Sequence, residues 1–147
     1  MTFPRWIAGL TLLLASAGSQ AFEFKSVGAA PVILYDAPST KGSKLFVVPR
    51  RTPLEVVLAY GDWIKVRDIS GDLSWTEAKG LTSKHNVIVR VPNMKVRATP
   101  DDTGTPVFQA DKGVLLEAME AANGGWVKVR HRDGLIGYVK NSDVWGI

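Results

Sequence analysis

Two histidines, His85 and His131, and one adjacent carboxylate pair, Asp101-Asp102, are the residues whose types most directly invite metal or acid-base chemistry. A metal site needs further nitrogen or carboxylate ligands at suitable spacing, and neither histidine has one nearby, so both read as surface or turn residues. Paired carboxylates can split their pKa values and act as acid and base. Here, however, Pro100-Asp101-Asp102-Thr103-Gly104 is a proline-led loop in which aspartates accept hydrogen bonds from nearby backbone amides. Lys112-Gly113 reads as a turn in the same way. The chain has no cysteine, which removes disulfides, thiolate nucleophiles and cysteine zinc sites. It also lacks a Gly-x-Ser-x-Gly elbow, a His-Glu-x-x-His pair and a phosphate-cradling glycine loop. No catalytic constellation emerges, so the expectation is a non-enzyme with no cofactor and no metal.

Aromatic side chains are the better candidates for binding. Tyr35, Tyr60, Trp75 and Tyr138 are the primary ones, with Trp63, Trp126 and Trp145 completing a large set of rings for so short a chain. Trp63 and Trp126 begin a central strand and are expected in the core. Trp75 and Tyr138 suit a core or a groove equally. Tyr35 and Tyr60 fall in expected loops, and Trp145 caps the end of the second half. Arg97, Lys128, Arg130 and Arg132 lie on neighbouring expected strands and the turn after them. They suit a cationic strip facing an acidic peptide, a teichoic acid or a phospholipid headgroup, or plain charge protection of a strand edge.

The elements that must position these residues are repeated. Trp63-Ile64-Lys65-Val66-Arg67 returns as Trp126-Val127-Lys128-Val129-Arg130, and Gly71 and Trp75 correspond to Gly134 and Tyr138. One residue is inserted between the copies, where Ala59-Tyr60-Gly61-Asp62 becomes Ala121-Ala122-Asn123-Gly124-Gly125. Such an insertion is cheap, because loop-closure entropy grows slowly with length. Most segments alternate with the period of a strand. Asn123-Gly124-Gly125, Arg132-Asp133-Gly134 and Ser70-Gly71-Asp72 are hairpin turn signals, and frequent prolines leave no room for a long helix after residue 22. Each half therefore reads as about five short strands closing into a small barrel. The apolar, β-branched run Asn86 to Val91, in the connection over 84–92, reads as a strand shared with one barrel in preference to a flexible linker.

At the amino end, Arg5 precedes the apolar run Ile7 to Ala15, and Ser19-Gln20-Ala21 places small residues where a signal peptidase reads them. Cleavage after Ala21 is expected, leaving a periplasmic or secreted protein; the run is too short to span a bilayer comfortably, which takes about 20 residues. No stable membrane insertion follows cleavage. The net charge of +4 loses one unit with Arg5, and the interspersed acidic residues leave no basic block that points to nucleic acid. Each half alone is near the size at which one core is only marginally stable, so the halves are expected to touch.

Met94-Lys95-Val96-Arg97-Ala98-Thr99-Pro100, Gly113 to Glu117, Gly125-Trp126-Val127-Lys128-Val129 and Asp133-Gly134-Leu135-Ile136-Gly137-Tyr138-Val139 together resemble the bacterial SH3 (SH3b) domain. The first half looks like a divergent copy, with Tyr35 where arginine is usual and Leu73-Ser74-Trp75 where Gly-Trp is usual. The resemblance implies an all-β chain of two tandem small SH3-like barrels after a cleaved signal peptide: 1–21 signal, 22–83 first repeat, 84–92 connection, 93–147 second repeat. It also implies binding of an extended peptide on an aromatic groove. The partner that the resemblance implies is a peptidoglycan stem peptide or another extended peptide; a periplasmic protein, met as an adaptor or regulatory subunit of a cell-wall enzyme, is the alternative.

Overall fold

The computed structural model describes Thr2 and residues 22–147 apart from Asn123. The expected signal segment and its cleavage after Ala21 lie outside the described residues. The first half contains β1 (Glu23–Val27), β2 (Val32–Tyr35), β3 (Lys44–Val48), β4 (Pro53–Tyr60), β5 (Trp63–Arg67), β6 (Leu73–Glu77), a 3-10 turn (Ala78–Gly80) and β7 (Leu81–Thr82). The second half repeats this series as β8 (Asn86–Val89), β9 (Met94–Arg97), β10 (Pro106–Ala110), β11 (Leu115–Ala122), β12 (Trp126–Arg130), β13 (Ile136–Lys140), a 3-10 turn (Asn141–Asp143) and β14 (Val144–Trp145). The order in the first sheet is β3-β2-β6-β5-β4-β1-β7, and in the second β10-β9-β13-β12-β11-β8-β14. Strand for strand the two are the same, and all their pairings are antiparallel.

Each half thus has seven strands, not five. The extra ones escape the pattern for a physical reason: β7 and β14 are two residues long, too short to alternate, and β1 (EFKSV) and β8 (NVIV) share too little sequence to repeat visibly. The run expected to connect the halves forms β8, which pairs with β11 and β14 inside the second sheet. Val87 and Val89, on one face of the strand, are fully buried in the core, which β-branched side chains fill well. The long strands β4 and β11 each carry a register shift, between Val56 and Leu58 and between Ala118 and Glu120. Such bulges add bend and twist, letting one long strand serve both sides of a closed core.

The cores are matched but unequal. Val27, Leu34, Leu54, Ile64 and Val66 fill the first barrel, and Val89, Val96, Leu116, Val127 and Val129 hold the same places in the second. The second core also contains Val87, Val139 and Val144. At the first two of these places the first barrel has Lys25 and Thr76. Ser26 and Ser74 are buried there as well. Thr76 donates its hydroxyl to the carbonyl of Ile33 at 3.0 Å, whereas the Ser74 hydroxyl has no partner. A buried hydroxyl without a hydrogen bond is a net cost. Ser74→Ala is therefore expected to raise stability by about 1 kcal/mol in urea denaturation; a loss of similar size would show that the hydroxyl is satisfied in solution.

The barrels touch, as their size requires. Phe24 on β1 meets Trp145 on β14 edge to face, with centroids 5.0 Å apart and planes at 84°. Trp145 thus packs across to the first barrel; it does not merely cap the second. Beside it, a β-carbon on Gly146 would lie 2.9 Å from Pro53 Cβ and 2.6 Å from the Asn86 carbonyl oxygen, so only glycine allows this approach. In a double-mutant cycle of Phe24→Ala and Trp145→Ala, the ring pair should show a coupling of about 1 kcal/mol. Additive losses would mean that the two rings do not hold the barrels together.

Candidate functional site

Alternation along β5 decides where its side chains go. Ile64 and Val66 point into the core, which sends Trp63, Lys65 and Arg67 to the opposite face. Register then assembles the neighbours: Lys65 lies opposite Trp75, Trp75 opposite Tyr35, and Tyr60 opposite Trp63. Directly opposed residues of antiparallel strands project to the same side, so these five form one surface. The rings interlock across the strands. Tyr60 meets Trp75 edge to face at 6.4 Å, Trp63 meets Tyr35 at 5.4 Å, and the Lys65 ammonium sits 5.9 Å from the centre of the Trp75 ring. Tyr60 is 66% exposed, Trp63 and Trp75 are half-buried, and Tyr35 is buried at 6%.

Two of these positions differ from the sequence expectation. Tyr35 and Tyr60 end strands β2 and β4 and do not lie in loops. For Tyr35 the consequence is that the ring packs against Trp63 and is almost closed to solvent. Trp63 was expected in the core, yet it stands on the outer face. Its signal was present, since it shares the period-two phase of Lys65 and Arg67. A groove of about 560 Å³ lies beside this face, with Ile33, Tyr35, Glu77 and Lys79 among its lining residues.

The same face of the second barrel is closed by charge. Trp126 is 8% exposed, with the Lys140 ammonium 5.9 Å from its ring centre. Lys140 is anchored by Asp102 at 2.7 Å, and Lys128 by Glu120 at 3.5 Å. Tyr138 is half-buried opposite Lys128 and Arg97. Arg97 donates to the Gly104 carbonyl at 2.9 Å. Arg130 donates to Glu117 at 2.7 Å, and Arg67 makes the equivalent ion pair with Glu55 at 3.3 Å. The last residue of each Trp-x-Lys-Val-Arg strand is thus one arm of a repeated cross-strand ion pair. Arg97, Lys128 and Arg130 do not form a free cationic strip, because each already has a partner; Arg132 is exposed in the turn that follows. The second copy places Ala122 where the first has Tyr60.

The residues that invited catalysis have local structural partners. Asp101 accepts from the hydroxyl and the backbone N–H of Thr103, and that hydroxyl holds its carboxyl below the usual carboxylate range. Asp133 is likewise held low, first by the Leu135 N–H and then by His131, whose Nδ1 lies 2.9 Å away. His85 is exposed, and its carbonyl accepts the Ala118 N–H. Among the described residues no group of three or more His, Asp or Glu side chains is placed to hold a metal ion.

The hydrogen bond and charge of Asp102 raise the Lys140 ammonium above the usual lysine value of 10.5. A raised folded-state value means that the pair stabilises fully below the unfolded pKa and is lost as pH climbs through the folded one. Asp102→Asn is expected to bring Lys140 back toward 10.5 in an NMR titration. An unchanged titration would assign the shift to another group.

Among the described residues no helix is long and apolar enough to cross a membrane. No functionally curated protein matches the chain. Of solved structures, NlpC1 from Trichomonas vaginalis is similar at 16% identity, over 88% of this chain and 48% of that one, with a TM-score of 0.40. NlpC2 from the same organism is similar at 12% identity over 86% and 48%, also with 0.40. The chain thus spans about half the length of these two proteins. The endolysin LysPBC5 CBD is similar at 18% identity over 86% of this chain and 94% of that one, with a TM-score of 0.33. Two family models, both described as a bacterial SH3 domain, match residues 28–82 and 92–144. With two sheets of one shared topology and family matches to each, the chain belongs to the bacterial SH3 domain family and carries two copies in tandem.

Proposed function

We propose that this protein is an exported, non-catalytic binding module whose first barrel holds an extended peptide, with the stem peptides of peptidoglycan as the target. The observation that carries this reading is the interlocked surface of Tyr60, Trp63, Trp75 and Lys65, open to solvent at Tyr60 and continuous in register with Tyr35. Rigid rings that are already packed lose little side-chain entropy on binding, so displaced water contributes directly to affinity. The lysine supplies one cation for a peptide carboxylate, and the adjoining groove has room for the chain. Family membership supports a binding role, and the export reading rests on the amino-terminal sequence.

Co-sedimentation of the purified protein with peptidoglycan sacculi tests this. The protein should pellet, and Tyr60→Ala or Trp75→Ala should lower binding by about tenfold, the effect of losing one buried aromatic anchor. Tyr138→Ala should leave binding unchanged. A protein that stays in the supernatant at low salt, or equal loss in all three variants, would rule out the first-barrel face.

A second reading, an adaptor that docks on a protein, is favoured by β3. This is the edge strand of the first sheet, and Leu45, Phe46 and Val47 are all exposed along it. An apolar edge with free backbone groups is suited to strand addition by a partner. Capture of one stoichiometric protein, lost in Val47→Lys and retained in Trp75→Ala, would favour the adaptor.

A further inference from the structure

A cleft of about 760 Å³ lies between the two barrels. Arg50, Arg51 and Lys84 enter it from the first half and its end, and Arg130 and Arg132 from the second. Glu117 is the one carboxylate among its lining residues, and it is already bonded to Arg130. Arg50, Arg51, Lys84 and Arg132 have no carboxylate within ion-pairing distance among the described residues, a state they share with most cations of the chain; what is particular to them is that they line one concave site. A second hollow of about 500 Å³ shares Arg50, Arg51 and Arg132. Uncompensated cations gathered in a concave site focus a positive potential there.

The backbone supplies an independent observation. Arg51 has φ of 71°, in the left-handed region where a side chain is strained. Its N–H donates to the Val27 carbonyl, and the next residue, Thr52, donates to Pro49. The second barrel builds the same turn: the Gly113 N–H donates to Val89, and Val114 donates to Asp111. There the left-handed position, with φ of 92°, is a glycine. One copy thus uses the residue for which this conformation is free, and the other retains an arginine that lines both hollows. Strain of this kind persists where the surroundings hold it and is characteristic of ligand clamps.

We propose that the inter-barrel cleft binds a chain carrying two or more phosphate groups, with Arg51 and Arg132 gripping it from opposite barrels. Arginine forks suit planar or tetrahedral oxyanions, and a phosphate offers more oxygens and more charge per group than a carboxylate. A concave site between two bodies admits a chain and not a flat bilayer. The cleft lining includes neither Tyr60, Trp63 nor Trp75, so this proposal and the peptide reading can fail separately.

The test is isothermal titration of the full protein with inorganic tripolyphosphate, with triglutamate as the carboxylate probe. Tripolyphosphate should bind one to one at low salt and weaken as salt rises. Arg51→Gly removes the cation and relieves the backbone, so it should fold as well as the parent and lose about fivefold in affinity, the scale of one charge-assisted contact. Arg132→Gln, on the other barrel, should lose as much, while Lys41→Gln should change nothing. The proposal is overturned if the parent does not bind tripolyphosphate at low salt, if folded Arg51→Gly and Arg132→Gln bind as tightly as the parent, or if triglutamate binds equally well.

Discussion

The phase of one short strand in each barrel fixes nearly everything else. On β5 and β12 the inward valines, Val66 and Val129, are fully buried, and every second residue must take the other face. A slip of one residue would exchange the two faces and bring Lys65 or Lys128 into the core, which no barrel of this size survives. The cross-strand pairs Glu55 with Arg67 and Glu117 with Arg130 lie on the same strands and reinforce that phase. Ion pairs at such exposure are worth little as stability. Their value here is positional, since a slipped strand would lose its partner.

That constraint explains why one architecture supports two unlike surfaces. Both copies present Trp-x-Lys outward, yet the residue facing the tryptophan from the next strand is Glu77 in one and Lys140 in the other. Lys140 lies near the Trp126 ring and is held there by Asp102. Glu77 turns instead to Lys79 at 3.0 Å, leaving Trp63 half-open. Together with Tyr60, that single reversal of charge separates an aromatic surface from a sealed one.

Much of the fold was legible because it is written twice. Repetition of the Trp-x-Lys-Val-Arg strand, of the glycine turns and of the ring four residues after the turn glycine, Trp75 and Tyr138, implied two barrels, and the matching topologies agree. The run Asn86 to Val89 reads as a strand from its β-branched residues alone, but which barrel it belongs to is settled only by β11 and β14 lying beside it. The site was less legible, for the same reason. Nothing local tells that Tyr35 is covered by Trp63 or that Arg130 is committed to Glu117, because each contact joins residues on different strands. Trp63 is the exception, as its outward phase could be read directly.

The uneven cores carry a consequence for assembly. Two copies with one strand order risk trading strands as they fold, a common fault of repeat proteins. A β1 strand seated in the place of β8 would set Lys25 where Val87 is fully buried, and Ser26 where Ile88 belongs. Burying that ammonium without a partner costs several kcal/mol. The polar residues of β1 therefore disfavour its entry into the second barrel.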